Sequence, residues 1–147
     1  MVNVLADNYK DTIYRMHDSS CILYDNKKWF NANYLAGYVL ECYCKLVLDF
    51  AMKEGTHLTR GSIRGYSHDV QAMRDEIDLL MLSGTAVTKY CIDLNQKCSH
   101  IIANWHPNSR YEADSHPLGS ADLSNEINKE IKILIDIILK MDIDVVI

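Results

Sequence analysis

Apolar positions recur along this chain at helical rather than strand spacing. In residues 31–50 Ala32, Leu35, Ala36, Val39, Leu40, Tyr43, Leu46, Val47 and Phe50 follow the i, i+3, i+4, i+7 pattern for about five turns, which predicts a long amphipathic helix ending before Gly55. A looser stripe of Leu5, Ile13, Met16, Ile22 and Leu23 predicts a first helix between Val4 and Asn26. Residues 55–69 hold three of the six glycines and no periodicity, so they read as a loop. Ser67 or Asp69 then caps a short helix carrying Val70, Met73, Ile77 and Leu80. After the break at 83–85, Val87, Tyr90, Cys91, Leu94, Cys98, Ile101 and Ile102 predict a fourth helix running to about Trp105. From about Ser120 a last helix lines up Leu123, Ile127, Ile131, Leu134, Ile138 and Met141 on one side, with Lys129, Lys132, Asp136 and Lys140 on the other.

With no alternating strand pattern, repeat or low-complexity tract, the fold class is all-α, an antiparallel up-and-down bundle of four to five helices in one domain spanning residues 1–147. A chain of 147 residues buries roughly 70% of its unfolded surface, enough for a core without disulfide staples. The stretch "NWHPNSRYEADSHP" (104–117) interrupts the helical stripes with two prolines, an arginine and two histidines. The surplus apolar surface of "IKILIDIILK" (131–140) points to a homodimer.

Charge narrows the classes of partner. A net charge of −5 and a pI near 5.6 repel phosphate backbones, so nucleic-acid contact needs a local basic patch. The nearest approach is the segment from His57 to Arg74, where Arg60, Arg64 and Arg74 stand beside Asp69. Five cysteines, an odd number, follow an N-terminus without the basic start and apolar stretch of a secretory signal, so reduced thiols in a cytoplasmic protein are expected. No apolar run reaches the ~18 residues of a membrane span. The histidines at 100, 106 and 116 match no usual ligand spacing, and neither a metal nor a cofactor is expected.

The second helix carries more than a plain core helix needs. Gly37 costs about 1 kcal/mol relative to Ala and predicts a close approach by a neighbouring helix. Glu41 and Lys45, spaced i, i+4, read as a surface ion pair worth ~0.3–0.5 kcal/mol. Tyr34 and Tyr38, on adjacent turns, are expected to bury their rings at a helix interface with the hydroxyls hydrogen-bonded.

The pattern Ala-x-Tyr-Leu-Ala-Gly-Tyr-x-x-Glu-Cys-x-x-Lys (32–45), then "SHDV" at 67–70, then Trp105, Pro107 and "RY" at 110–111, resembles HEPN domains. The resemblance implies a dimerising helical bundle, often paired with a minimal nucleotidyltransferase as toxin and antitoxin, with Tyr38, Glu41, Lys45, His68, Asp69, Trp105 and Tyr111 as binding residues for nucleotide or RNA. Many members are metal-independent ribonucleases carrying an Arg, four to six residues and a His, shared between two protomers. Here the match is Arg110 and His116, which would be the catalytic pair. Such residues suit the chemistry: His moves protons near neutrality, and Arg holds a phosphate bidentately. Three readings follow: a HEPN-type binding and interaction protein, a metal-independent endoribonuclease toxin, and a helical scaffold without a ligand site. Apart from any site, Trp105 and Tyr111 are expected to anchor the 104–117 loop, with Arg110 paired to a carboxylate such as Glu41 or Glu112.

Overall fold

The computed structural model describes residues 9–147, so Val4 and Leu5 of the expected first helix lie outside the described residues. Six α-helices are formed among the described residues: α1 (Tyr9–Asp25), α2 (Trp29–Lys53), α3 (Val70–Met81), α4 (Leu94–Lys97), α5 (Ser99–Asn104) and α6 (Ala121–Ile143). Short 3₁₀ segments lie between them, and none of the described residues forms a strand.

α2 is the axis of the molecule. Fifteen of its 25 residues are buried, more than a helix covered on one face can reach, because α1, α3 and α6 all pack against it. That is why Cys42 and Cys44, which point to nearly opposite sides, are both buried. The helix stops where expected, with Gly55 at φ +92°, a backbone conformation that glycine adopts without strain. α6 begins at the Ser120 cap, whose hydroxyl accepts the Leu123 N–H, and it buries Ile127, Ile131, Leu134, Ile138 and Met141. Its end is held by Asp144, whose carboxylate accepts the Tyr90 hydroxyl.

The fourth predicted helix is not continuous, and its division raises the number of α-helices above the four or five expected. Residues 86–105 form a 3₁₀ segment (Ala86–Tyr90), an extended link, α4 and α5. Asp93 starts a new helix by accepting the Gln96 N–H, and Cys98 leaves helical geometry at φ −128°, ψ 34°. α5 is then capped from outside, because the Glu130 carboxylate of α6 accepts the backbone N–H groups of His100 (3.0 Å) and Ile101 (2.9 Å). The apolar positions nevertheless all turn inward: Val87, Tyr90, Cys91, Leu94, Cys98 and Ile101 are buried. A 3₁₀ turn and an α turn share nearly the same spacing of apolar residues, so the stripe fixes the covered face without fixing continuity.

Buried polar bonds seat the segment that follows. Asn33 donates to the Leu118 carbonyl (2.8 Å) and accepts the Ser124 hydroxyl (2.9 Å), joining α2, α6 and the 117–119 turn. Trp105 donates its indole N–H to the Tyr34 carbonyl at 2.8 Å.

Candidate functional site

The second-helix motif, the His-Asp pair and Trp105 meet on one side of α2. Trp105 lies flat on Gly37: a Cβ there would stand 2.0 Å from the indole nitrogen. The close approach expected at Gly37 is therefore made by an aromatic ring rather than by a helix backbone. Trp105 meets Tyr38 edge-on at 5.2 Å, and the Tyr38 hydroxyl is 2.8 Å from that of Tyr34, which donates to the Pro107 carbonyl at 3.0 Å. Burial first, and then the bond to Tyr34, pushes the Tyr38 phenol up to about 12. Tyr38 is a hydrogen-bonding group at any working pH.

One turn on, Glu41 is 3% exposed and faces His68 and Lys45. Its carboxylate lies 2.7 Å from His68 Nδ1 and 3.6 Å from Lys45 Nζ. The surface ion pair expected between Glu41 and Lys45 is thus a buried carboxylate that ties α2 to the loop before α3. Lys45 also stands 5.8 Å from the Tyr9 ring centre. Asp69 caps α3 by accepting the Ala72 N–H at 3.0 Å and holds Arg60 at 2.8 Å. That backbone bond, with Arg60 behind it, keeps the Asp69 carboxyl below its ordinary range.

Beside this cluster is a cavity of about 520 Å³, within the size range of small-molecule sites. Leu40, Ile101, Ile102 and Trp105 supply apolar wall, while Arg60, Arg74, His68 and His106 supply donors and positive charge. His106 accepts the Asn108 N–H at Nδ1, which leaves its Nε2 as the donor when the ring is neutral. In a protein of net charge −5, two arginines against the single carboxylate of Asp69 make this cavity wall locally positive.

Arg110, His116 and Tyr111 sit apart from the cavity lining. Arg110 is exposed and stacks on the Tyr111 ring at 4.8 Å, with its charge felt at Tyr38. It forms no ion pair with Glu41 or Glu112, so the pairing expected from the sequence is replaced by a cation–π contact. Tyr111 is 74% exposed, and that end of the loop is held instead by Trp105 and by the Tyr34 hydroxyl bond to the Pro107 carbonyl. His116 accepts the Leu118 N–H at Nδ1 (3.2 Å) and packs edge-on against Phe30 at 6.2 Å. Arg110 thus stacks within the 3₁₀ segment Pro107–Tyr111, whereas His116 opens the segment Pro117–Gly119 and packs on Phe30 of α2.

Sequence reasoning did not single out Arg60 or Arg74 as site residues. The signal was present: Arg74 stands one residue after Met73 and three before Ile77, within the apolar register of α3, where a charge needs a reason. Among the described residues no three His, Cys, Asp or Glu side chains are grouped to hold a metal, and no helix is long and apolar enough to cross a membrane. In comparisons with known proteins, no family model, curated protein or solved structure matches this chain.

Proposed function

We propose that the chain is a HEPN-type binding and interaction protein. In this reading it is an antiparallel up-and-down bundle that forms a cytoplasmic homodimer and pairs with a separately encoded minimal nucleotidyltransferase, in a toxin–antitoxin-like arrangement. It takes up nucleotide or RNA at the cavity between α2, α3 and α5. The observation that carries the reading is the meeting of Tyr38, Glu41, His68 and Trp105, from three separate sequence elements, beside one locally positive cavity with an aromatic wall. Such a combination favours a ligand with an anionic group and a flat ring.

Binding is favoured over cleavage by the state of His116. With Nδ1 accepting a backbone N–H, the neutral ring carries its proton on Nε2 and has no free nitrogen with which to take a proton from a 2′-hydroxyl. The test is incubation of purified protein with single-stranded RNA in EDTA, read on a denaturing gel, alongside expression in a bacterial host. The expected result is intact RNA and unarrested growth. RNA cleavage lost in folded Arg110→Ala and His116→Ala variants would replace this reading with the metal-independent ribonuclease.

A further inference from the structure

Arg74 is the least explained charge in the molecule. Its side chain is more than nine-tenths buried, at 8% exposure, yet among the described residues it meets no carboxylate. Two guanidinium nitrogens donate to the neutral amides of Asn95 and Gln71, and Nε has no hydrogen-bond partner among the described residues. A buried cation that is neither paired nor fully hydrogen-bonded is costly, and proteins keep such groups where an anion arrives to meet them.

The carboxylates close to the cavity are already committed. Glu41 serves His68 and Lys45, and Asp69 serves Arg60 and the α3 cap. Neither moves to Arg74 without abandoning those bonds. Arg74 itself lines the cavity, held between α3 and α4, while Trp105 lines it from the α2 side. The cavity therefore has a cationic wall and an aromatic wall within about 520 Å³, room for one ring and one anionic group rather than for a folded macromolecule.

We infer that Arg74 is the anion anchor of this cavity, and that its ligand is a small phosphate monoester carrying a planar ring, the chemistry of a nucleoside monophosphate. The phosphate meets Arg74, with Arg60 and His68 at the mouth, and the ring packs on Trp105. Arg is suited to this because its planar fork matches phosphate oxygens and its charge does not titrate away. The inference rests on the cavity being the ligand site of the proposed function and assigns the ligand class within it.

The experiment is calorimetric titration of the full chain with AMP, adenosine and inorganic phosphate, for wild type, Arg74→Met and Arg74→Lys. AMP is expected to bind at least tenfold more tightly than adenosine to the wild type. Arg74→Met should erase that preference, and Arg74→Lys should retain part of it. Equal affinity for AMP and adenosine, or an AMP preference that survives in Arg74→Met, overturns the anchor while leaving a nucleoside-binding cavity. No binding of any of the three probes overturns both the anchor and the cavity reading. Should Arg74→Met fail to fold, the wild-type melting temperature in phosphate against chloride at equal ionic strength decides. A rise specific to phosphate supports the anchor, and its absence overturns it.

Discussion

The indole of Trp105 occupies the space that a side chain at position 37 would fill: a Cβ on Gly37 would lie 2.0 Å from its Nε1 and 2.1 Å from Cε2. One residue without a side chain thus sets the inner wall of the cavity and, through the Trp105 bond to the Tyr34 carbonyl, the path of the chain into the 107–111 turn. Gly37→Ala should lower stability, since overpacking costs about 1–3 kcal/mol and only partly loses to the ~1 kcal/mol gain in helix propensity. The measurement is thermal unfolding with a tryptophan fluorescence spectrum. A red-shifted emission and a lower melting temperature are expected, and an unchanged spectrum contradicts the packing described.

Glu41 is buried and holds two elements, so Glu41→Ala should cost about 1–3 kcal/mol by stranding Lys45 and releasing His68. Glu41→Gln, which keeps the shape and loses the charge, should cost less. Urea unfolding of both variants checks the order, and equal losses would show that charge rather than shape matters there.

Arg110→Ala should leave the melting temperature unchanged, because its side chain is exposed and its cation–π contact is with the equally exposed Tyr111. This reverses what the sequence alone suggests, namely a structural arginine committed to a carboxylate. A clear drop on differential scanning calorimetry would mean that Arg110 has a stabilising partner besides Tyr111.

Burial pushes the thiols of Cys42 and Cys91 up to about 11 and that of Cys98 up to about 12. Below about 9 these thiols are protonated in folded and unfolded chains alike, and their contribution is complete. Above it the unfolded chain releases protons that the folded chain keeps, so stability should fall as pH rises from about 9 towards 11–12. Denaturant midpoints at pH 7, 9 and 10.5 measure this. The slope should flatten when the three cysteines are replaced by Ala or Ser, and an unchanged slope contradicts the assignment.

The parts of the fold that could be read from the sequence are those whose local pattern and tertiary burial agree. α2 and α6 are long enough for the apolar stripe to state both helix and buried face. The 86–105 segment was legible only as a buried face. Its breaks are made by Asp93 and by Glu130, which reaches α5 from thirty residues away, a contact no local pattern announces. The same applies at the site. Glu41 stood out as a charge in mid-run, but its partner His68 comes from another element. Arg74 and Glu130 also sit in the apolar register of their helices, and both are buried, so an ionisable residue on an apolar stripe was the signal available. The surface pair read at Glu41 and Lys45 failed because α2 is covered on every side, which depends on how the other helices pack.

In the proposed function ligand binds at the cavity wall formed by Trp105, and the chain has two tryptophans whose indole N–H signals report on different places. Trp29 packs against Tyr24 at 5.4 Å and does not line the cavity, whereas Trp105 does. In a ¹⁵N-labelled sample titrated with AMP, with Trp29→Phe used to assign the two indole signals, the Trp105 signal should move progressively with ligand while that of Trp29 stays in place. A Trp105 signal that remains still throughout the titration would contradict the central claim.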